Sequence, residues 1–127
     1  MKPRLSLATI AVLLLTSCAA PQTRFTDSSQ PIEVVGGQSF EIVLESNPTT
    51  GYSWTLAKRL VNRVVTLAGN EYRPKDSSLT GASGLEIWTF VARHEGATTI
   101  SLAYRRPWEK EQTPAKVCTF RVVVRKG

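Results

Sequence analysis

At 127 residues, with 42% hydrophobic and 20% charged side chains, the chain is long enough for one packed domain and too apolar to be disordered. Its 16 Lys+Arg against 10 Asp+Glu give a net charge of +6, and two cysteines exclude a disulfide-rich scaffold. A single histidine, His94, excludes a multi-histidine metal site and leaves most nucleophile–base designs without their usual base, so composition leans against an enzyme.

Lys2 and Arg4 open the chain, and Leu5 to Leu15 is an eleven-residue, predominantly apolar run. A membrane-spanning helix needs about 20 apolar residues, so residues 1–17 are expected to be a secretory leader. The run ends in Leu15-Thr16-Ser17-Cys18, which resembles a bacterial lipobox. That resemblance implies that Cys18 receives a lipid, becomes the mature N-terminus and anchors the protein to a membrane. The non-acidic Ala19 after it implies the outer membrane of a bacterial cell envelope. Cleavage removes Lys2 and Arg4, and the remaining cations are scattered along the chain, so no nucleic acid is expected as a partner. Lipidation leaves Cys118 without an intramolecular partner, and its place in a strand pattern predicts a buried, inert thiol. Residues 18–30 are polar and lack any hydrophobic period, so they are expected to be the lipidated N-terminus and a flexible tether. Fully extended, residues 19–30 would reach about 40 Å.

From Ile32 onward short apolar runs alternate with turn residues, the pattern of an all-β domain over residues 31–127. Ile32 to Val35 is the first strand. Phe40, Ile42 and Leu44 alternate with Glu41 and Glu45, a period of two with one face buried. Tyr52, Trp54 and Leu56 repeat that period after the Asn47 to Gly51 break. Val64, Val65 and Leu67 make a shorter run, expected to end at Gly69-Asn70. Leu85 to Val91 is apolar on both faces, which predicts a central strand. His94-Glu95-Gly96 is a turn, and Ile100, Leu102 and Tyr104 alternate again. Cys118, Phe120, Val122 and Val124 close the chain, with Arg121 and Arg125 facing out. No stretch sustains a 3.6-residue period. About seven such strands predict an immunoglobulin-like β-sandwich.

In such a sandwich successive strands mostly reverse direction, so the loops after the second, fourth and sixth predicted strands should gather at one end. They are the chemically unusual parts of the sequence. The first, Asn47-Pro48-Thr49-Thr50-Gly51, holds a proline that fixes backbone angles and a glycine that permits special ones. The second, Asn70 to Gly84, ends in Gly81-Ala82-Ser83-Gly84, a nearly side-chain-free edge that lets another backbone approach. The third, Arg106 to Pro114, opens with Arg106-Pro107-Trp108, an aromatic stiffened by proline. A rigid turn, a bare backbone strip and an aromatic anchor make a binding edge.

Asn47-Pro48-Thr49-Thr50-Gly51-Tyr52 and Arg106-Pro107-Trp108 resemble the first and third loop motifs of the chagasin family, protein inhibitors of papain-like cysteine proteases. Gly81-Ala82-Ser83-Gly84 is similar to the second, usually Gly-x-Gly-Gly, with Ser83 where the third position is normally glycine. The resemblance covers residues 31 to 125. It implies reversible blockade of a papain-like protease, cathepsin-L-like or similar, with no covalent bond and no cofactor or metal. By carry-over, Thr49 and Thr50 lie near the enzyme's catalytic cysteine and histidine, with Pro48 and Gly51 holding the loop in shape. Trp108 stacks on the leaving-group side, and Gly81 to Gly84 run beside the substrate-binding strand. The inhibitor is expected to be a monomer.

Other residues of interest have structural readings. Trp54 is expected to be the core tryptophan of the sandwich, Trp88 core or a covered face, and Tyr52 core packing at the border of the first loop. Asn47 should shape its turn by hydrogen-bonding backbone. Arg106 pairs either with an acid of its own loops, such as Glu109, or with the partner. His94 is expected as a solvated turn residue at the opposite end. Two rival functions stand against the inhibitor. A non-inhibitory envelope lipoprotein, binding another surface protein or the cell wall, has no reason to carry the three-loop constellation. An enzyme would need a nucleophile–base pair or clustered carboxylates, and Glu109 and Glu111 sit on a polar loop without a partner base.

Overall fold

The computed structural model describes residues 23–75 and 83–127. The leader, Cys18, and Gly81 and Ala82 of the second loop lie outside the described residues. Eight strands are described: β1 (Arg24–Phe25), β2 (Ile32–Val35), β3 (Ser39–Ser46), β4 (Ser53–Leu56), β5 (Val65–Pro74), β6 (Gly84–Ala92), β7 (Gly96–Arg105) and β8 (Lys116–Arg125). They form two four-stranded sheets, β1-β3-β6-β5 and β2-β8-β7-β4. β2 pairs in parallel with β8, and the long neighbours β3/β6, β5/β6, β4/β7 and β7/β8 are antiparallel. The expected all-β sandwich is therefore present.

The period-two residues meet between the sheets. Phe40, Ile42, Phe90, Ile100, Leu102, Phe120 and Val122 are almost fully removed from water. Phe40 and Phe90 stack at 5.6 Å between ring centroids. Emptying such a site, as in Phe120→Ala, costs about 3–5 kcal/mol. β6 lies between β3 and β5, as its two apolar faces suggested, with Ile87 and Trp88 both buried. Trp54 and Trp88 are each 5% exposed, in the core.

Three features differ from the sequence reading. Part of the expected tether is built into the domain. Arg24–Phe25 pairs in parallel with Glu41 and Ile42, Arg24 and Glu41 form an ion pair at 2.9 Å, and Phe25 packs edge-on against Phe40 at 6.2 Å. Two residues are too short a run to show a hydrophobic period. The fourth predicted strand also passes straight through Gly69-Asn70 to Pro74, because a bulge between Leu67 and Gly69 absorbs one extra residue and the pairing with β6 resumes. The second loop is shorter in consequence. Finally, Cys118 is half-buried rather than buried, and that partial burial pushes its thiol pKa up, which keeps it protonated.

Strand direction gathers the three loops. Ser46 at the end of β3 pairs with Gly84 at the start of β6, which pairs with Pro74 at the end of β5. In the other sheet Ser53 at the start of β4 pairs with Arg105 at the end of β7, beside Lys116 at the start of β8. The His94 turn lies at the opposite pole.

Candidate functional site

The first loop is shaped from within. Pro48–Thr50 forms one 3-10 turn, with Asn47 as its N-cap and Gly51 as its C-cap. The Asn47 carboxamide oxygen accepts from the Thr49 backbone N–H at 3.3 Å and from its hydroxyl at 2.5 Å. The Thr50 hydroxyl donates to the Asn47 carbonyl at 2.7 Å, and the Gly51 N–H closes the turn on the Pro48 carbonyl at 3.0 Å. Pro48, Thr49 and Thr50 are exposed, yet both threonine hydroxyl protons are spent inside the loop. The loop therefore presents methyl groups and backbone rather than free hydroxyl donors. Asn47 does shape the turn, as its residue type suggested.

The third loop is fastened onto the first. The Glu109 N–H bonds the Arg106 carbonyl at 3.0 Å, turning the chain over Pro107 and Trp108. The Arg106 guanidinium donates to the Thr50 carbonyl at 3.1 Å, lies 4.7 Å over the Tyr52 ring and pairs with Glu109 at 3.4 Å. Of the two alternatives for Arg106, the pairing with its own loops is present in the chain by itself, where it positions the edge. Trp108 is 68% exposed, but its indole lies against Gly51, where a Cβ would come within 2.5 Å of the ring. Gly51 has a φ of 83°, a left-handed conformation that side chains disfavour. Backbone angle and indole contact both demand glycine there, and together they join the two motifs into one wedge.

Beneath the wedge lies an aromatic base. Tyr52 is half-buried and stacks on Tyr104 at 5.2 Å, and Tyr104 in turn meets Trp54 at 5.0 Å. The Tyr104 hydroxyl accepts the Asn47 N–H at 2.9 Å, and the Trp54 indole N–H donates to the Glu45 carbonyl at 2.9 Å. Glu86, buried on β6, accepts the Trp54 backbone N–H through both carboxylate oxygens, at 3.0 and 3.3 Å, and so ties the two sheets at the root of the first loop. Tyr104 and Glu86 were not singled out from the sequence. Tyr104 looked like one more member of an alternating strand. The signal for Glu86 was a lone carboxylate inside the apolar run Leu85 to Val91.

The second loop is partly described. Ser83 is exposed at its end. Gly84 is not part of a bare edge: it is buried in β6, where a Cβ would come within 2.5 Å of the Arg73 carbonyl and would also strike the Tyr72 side chain. Its glycine serves sheet packing. At the other root Lys75 pairs with Glu45 at 2.6 Å, and this hydrogen bond and charge hold the exposed Glu45 carboxyl below its ordinary value of 4.5.

Comparison with known proteins gives a family. The model of the chagasin family of peptidase inhibitors (I42) matches residues 33–124. Chagasin of Trypanosoma cruzi is 38% identical over 80 residues, covering 61% of this chain and 73% of that protein. Amoebiasin-2 of Entamoeba histolytica is 32% identical over 85 residues, covering 67% of this chain and 69% of that protein. Among solved structures, a cysteine protease inhibitor of Entamoeba histolytica superposes with a TM-score of 0.62 at 27% identity, covering 80% of this chain and 94% of that one. The sandwich and the sequence match agree: the chain belongs to the chagasin family of peptidase inhibitors, whose members block proteases and are not enzymes.

Proposed function

We propose that this chain is a reversible, tight-binding inhibitor of papain-like cysteine proteases, acting as a monomer held at the bacterial outer membrane by a lipid on Cys18. The wedge enters the active-site cleft, with Thr49 and Thr50 nearest the catalytic cysteine and histidine. Trp108 packs on one flank, and residues 81–83 run beside the enzyme's substrate-binding strand on the other. Family membership supports the inhibitor reading, and the relative described as a cysteine protease inhibitor supports the class of target.

The observation that carries the reading is the seating of exposed Trp108 on Gly51. A large exposed indole is disfavoured in a solitary domain and is a typical anchor of an interface. The loop beneath it is already hydrogen-bonded into one shape. Docking then avoids part of the ordering cost, about 0.5–1.5 kcal/mol for each side chain that would otherwise be immobilised. The wedge offers the enzyme's nucleophilic thiolate only ordinary peptide amides and no activated electrophile, so the proposed blockade is non-covalent.

The test is titration of papain with residues 18–127 carrying Cys18→Ser. Stoichiometric loss of activity that returns on dilution is expected. A folded sample that leaves papain and a cathepsin-L-like enzyme fully active would refute the reading. The anchor is tested separately, by the mass of the mature protein and by release of the full-length Cys18→Ser chain from membranes.

A further inference from the structure

The pole opposite the wedge has a charge pattern of its own. The Gly36-Gly37 turn, the His94 turn, the Arg63 turn and the end of β8 meet there. Gly36 N–H bonds the Arg125 carbonyl at 2.9 Å, Arg93 N–H the Val64 carbonyl at 2.7 Å, and His94 N–H the Arg63 carbonyl at 3.2 Å. They enclose an open concavity of about 890 Å³, lined by Arg63, Arg93, Arg125 and Lys126, with Glu95 as its acidic side chain. Arg125 is shared with Glu33 at 3.1 Å, whereas Arg63, Arg93 and Lys126 make no ion pair among the described residues. At the wedge end three cations are paired, as Arg73–Glu71, Lys75–Glu45 and Arg106–Glu109, while Arg105, Lys110 and Lys116 make no ion pair among the described residues. What sets the pole apart is that its three unpaired cations, Arg63, Arg93 and Lys126, line one concavity.

The chain also enters at this pole. β1 runs parallel to β3, with Arg24 opposite Glu41, so the chain rises from the end where β3 begins at Ser39. Because Arg24–Phe25 is already built into the sheet, five peptide links separate Cys18 from Thr23, a reach of no more than roughly 18 Å. The ten residues of β8 span about 33 Å in the other direction, toward the wedge.

We propose that this pole is a docking surface for the anionic headgroups of a lipid bilayer, which holds the sandwich upright with the wedge pointing outward. Proximity to the bilayer rests on the Cys18 anchor proposed above, but the preference of the pole for anionic lipid does not need it. Each cation near such a surface strengthens partitioning about fivefold, and salt screens the contribution over about 10 Å. The acyl chain then supplies attachment, and the pole supplies orientation.

The experiment uses residues 18–127 with Cys18→Ser, which retain every described element, so success or failure is independent of the anchor. Co-sedimentation is measured at low ionic strength with vesicles of phosphatidylglycerol and of phosphatidylcholine. The expected result is binding to the first, little to the second, and loss of binding on adding salt. Arg63→Glu/Lys126→Glu should weaken partitioning at least about tenfold. Neither side chain makes a hydrogen bond or ion pair among the described residues, and Arg63→Gln/Lys126→Gln serves as a second, gentler variant. Lys58→Glu/Arg121→Glu, with the same change in net charge placed beside the middle of β7 and outside the concavity, should bind more nearly as the parent does. Papain inhibition should be unchanged in all three. Equal weakening by both charge reversals would overturn the pole in favour of net charge. So would equal binding to both lipids, absence of binding to phosphatidylglycerol, or displacement by millimolar inorganic phosphate at matched ionic strength, which would mark a small-anion site.

Discussion

The first and third loops differ from the second in how they are held. The first is closed by its own hydrogen bonds and clasped by the third through Arg106 and Trp108, so the two form one body. The second is described only at its roots, the Lys75–Glu45 ion pair and the buried Gly84 with exposed Ser83 before it. A rigid wedge loses little freedom on docking, so its contacts convert efficiently to affinity. Substitutions in the wedge should therefore weaken inhibition strongly.

Gly51→Ala should have the largest effect. It forces a left-handed backbone on alanine, at about 1–2 kcal/mol, and displaces the indole of Trp108 as well. Inhibition of papain should weaken by about 100-fold or more, read as the inhibition constant. Trp108→Ala should follow, with a loss of at least about 30-fold, the scale of an interface hot spot. Because that side chain is 68% exposed, the melting temperature should hardly change. Retained melting together with lost inhibition would separate an anchor from a packing residue.

Tyr104→Phe removes the acceptor of the Asn47 N–H while leaving the aromatic stack in place. A loss of about 1 kcal/mol in unfolding free energy is expected, with a several-fold weaker inhibition constant. Ser83→Gly, which restores the glycine usual in the family, should change inhibition by less than about threefold if the second loop contributes modestly. A gain beyond tenfold would reverse the ranking of the two regions.

Acid should act at the second loop's root. The Lys75 hydrogen bond and charge depress Glu45, so the pair's contribution is present above the ordinary carboxyl value of 4.5 and is lost as pH falls through the depressed one. Lowering pH from 7 to 5 should leave the pair intact, and Glu45→Gln should change inhibition at pH 7 by no more than the wild type changes below pH 4. A pH series of both proteins against papain checks this.

Much of the fold was legible because half-buried strands write their period into the chain, as in Phe40-Glu41-Ile42 and Phe120-Arg121-Val122. What was not legible lacked a period or misused a turn residue. Arg24–Phe25 is too brief, and Gly69-Asn70 looks like a strand end when the neighbouring bulge lets pairing continue. The wedge motifs were visible as composition, but their joining was not. That Arg106 reaches Thr50, that Trp108 rests on Gly51 and that Tyr104 receives Asn47 are contacts between residues some 55 positions apart, set by the strand pairing.

The central claim is that the wedge occupies the protease cleft. Its most direct test is binding of the chain to papain whose cleft is already filled by a covalently attached peptide inhibitor, compared with the free enzyme by calorimetry. Saturable one-to-one binding to free papain and none to the filled enzyme is the predicted result. Equal binding to both would contradict it, and would place the contact outside the cleft.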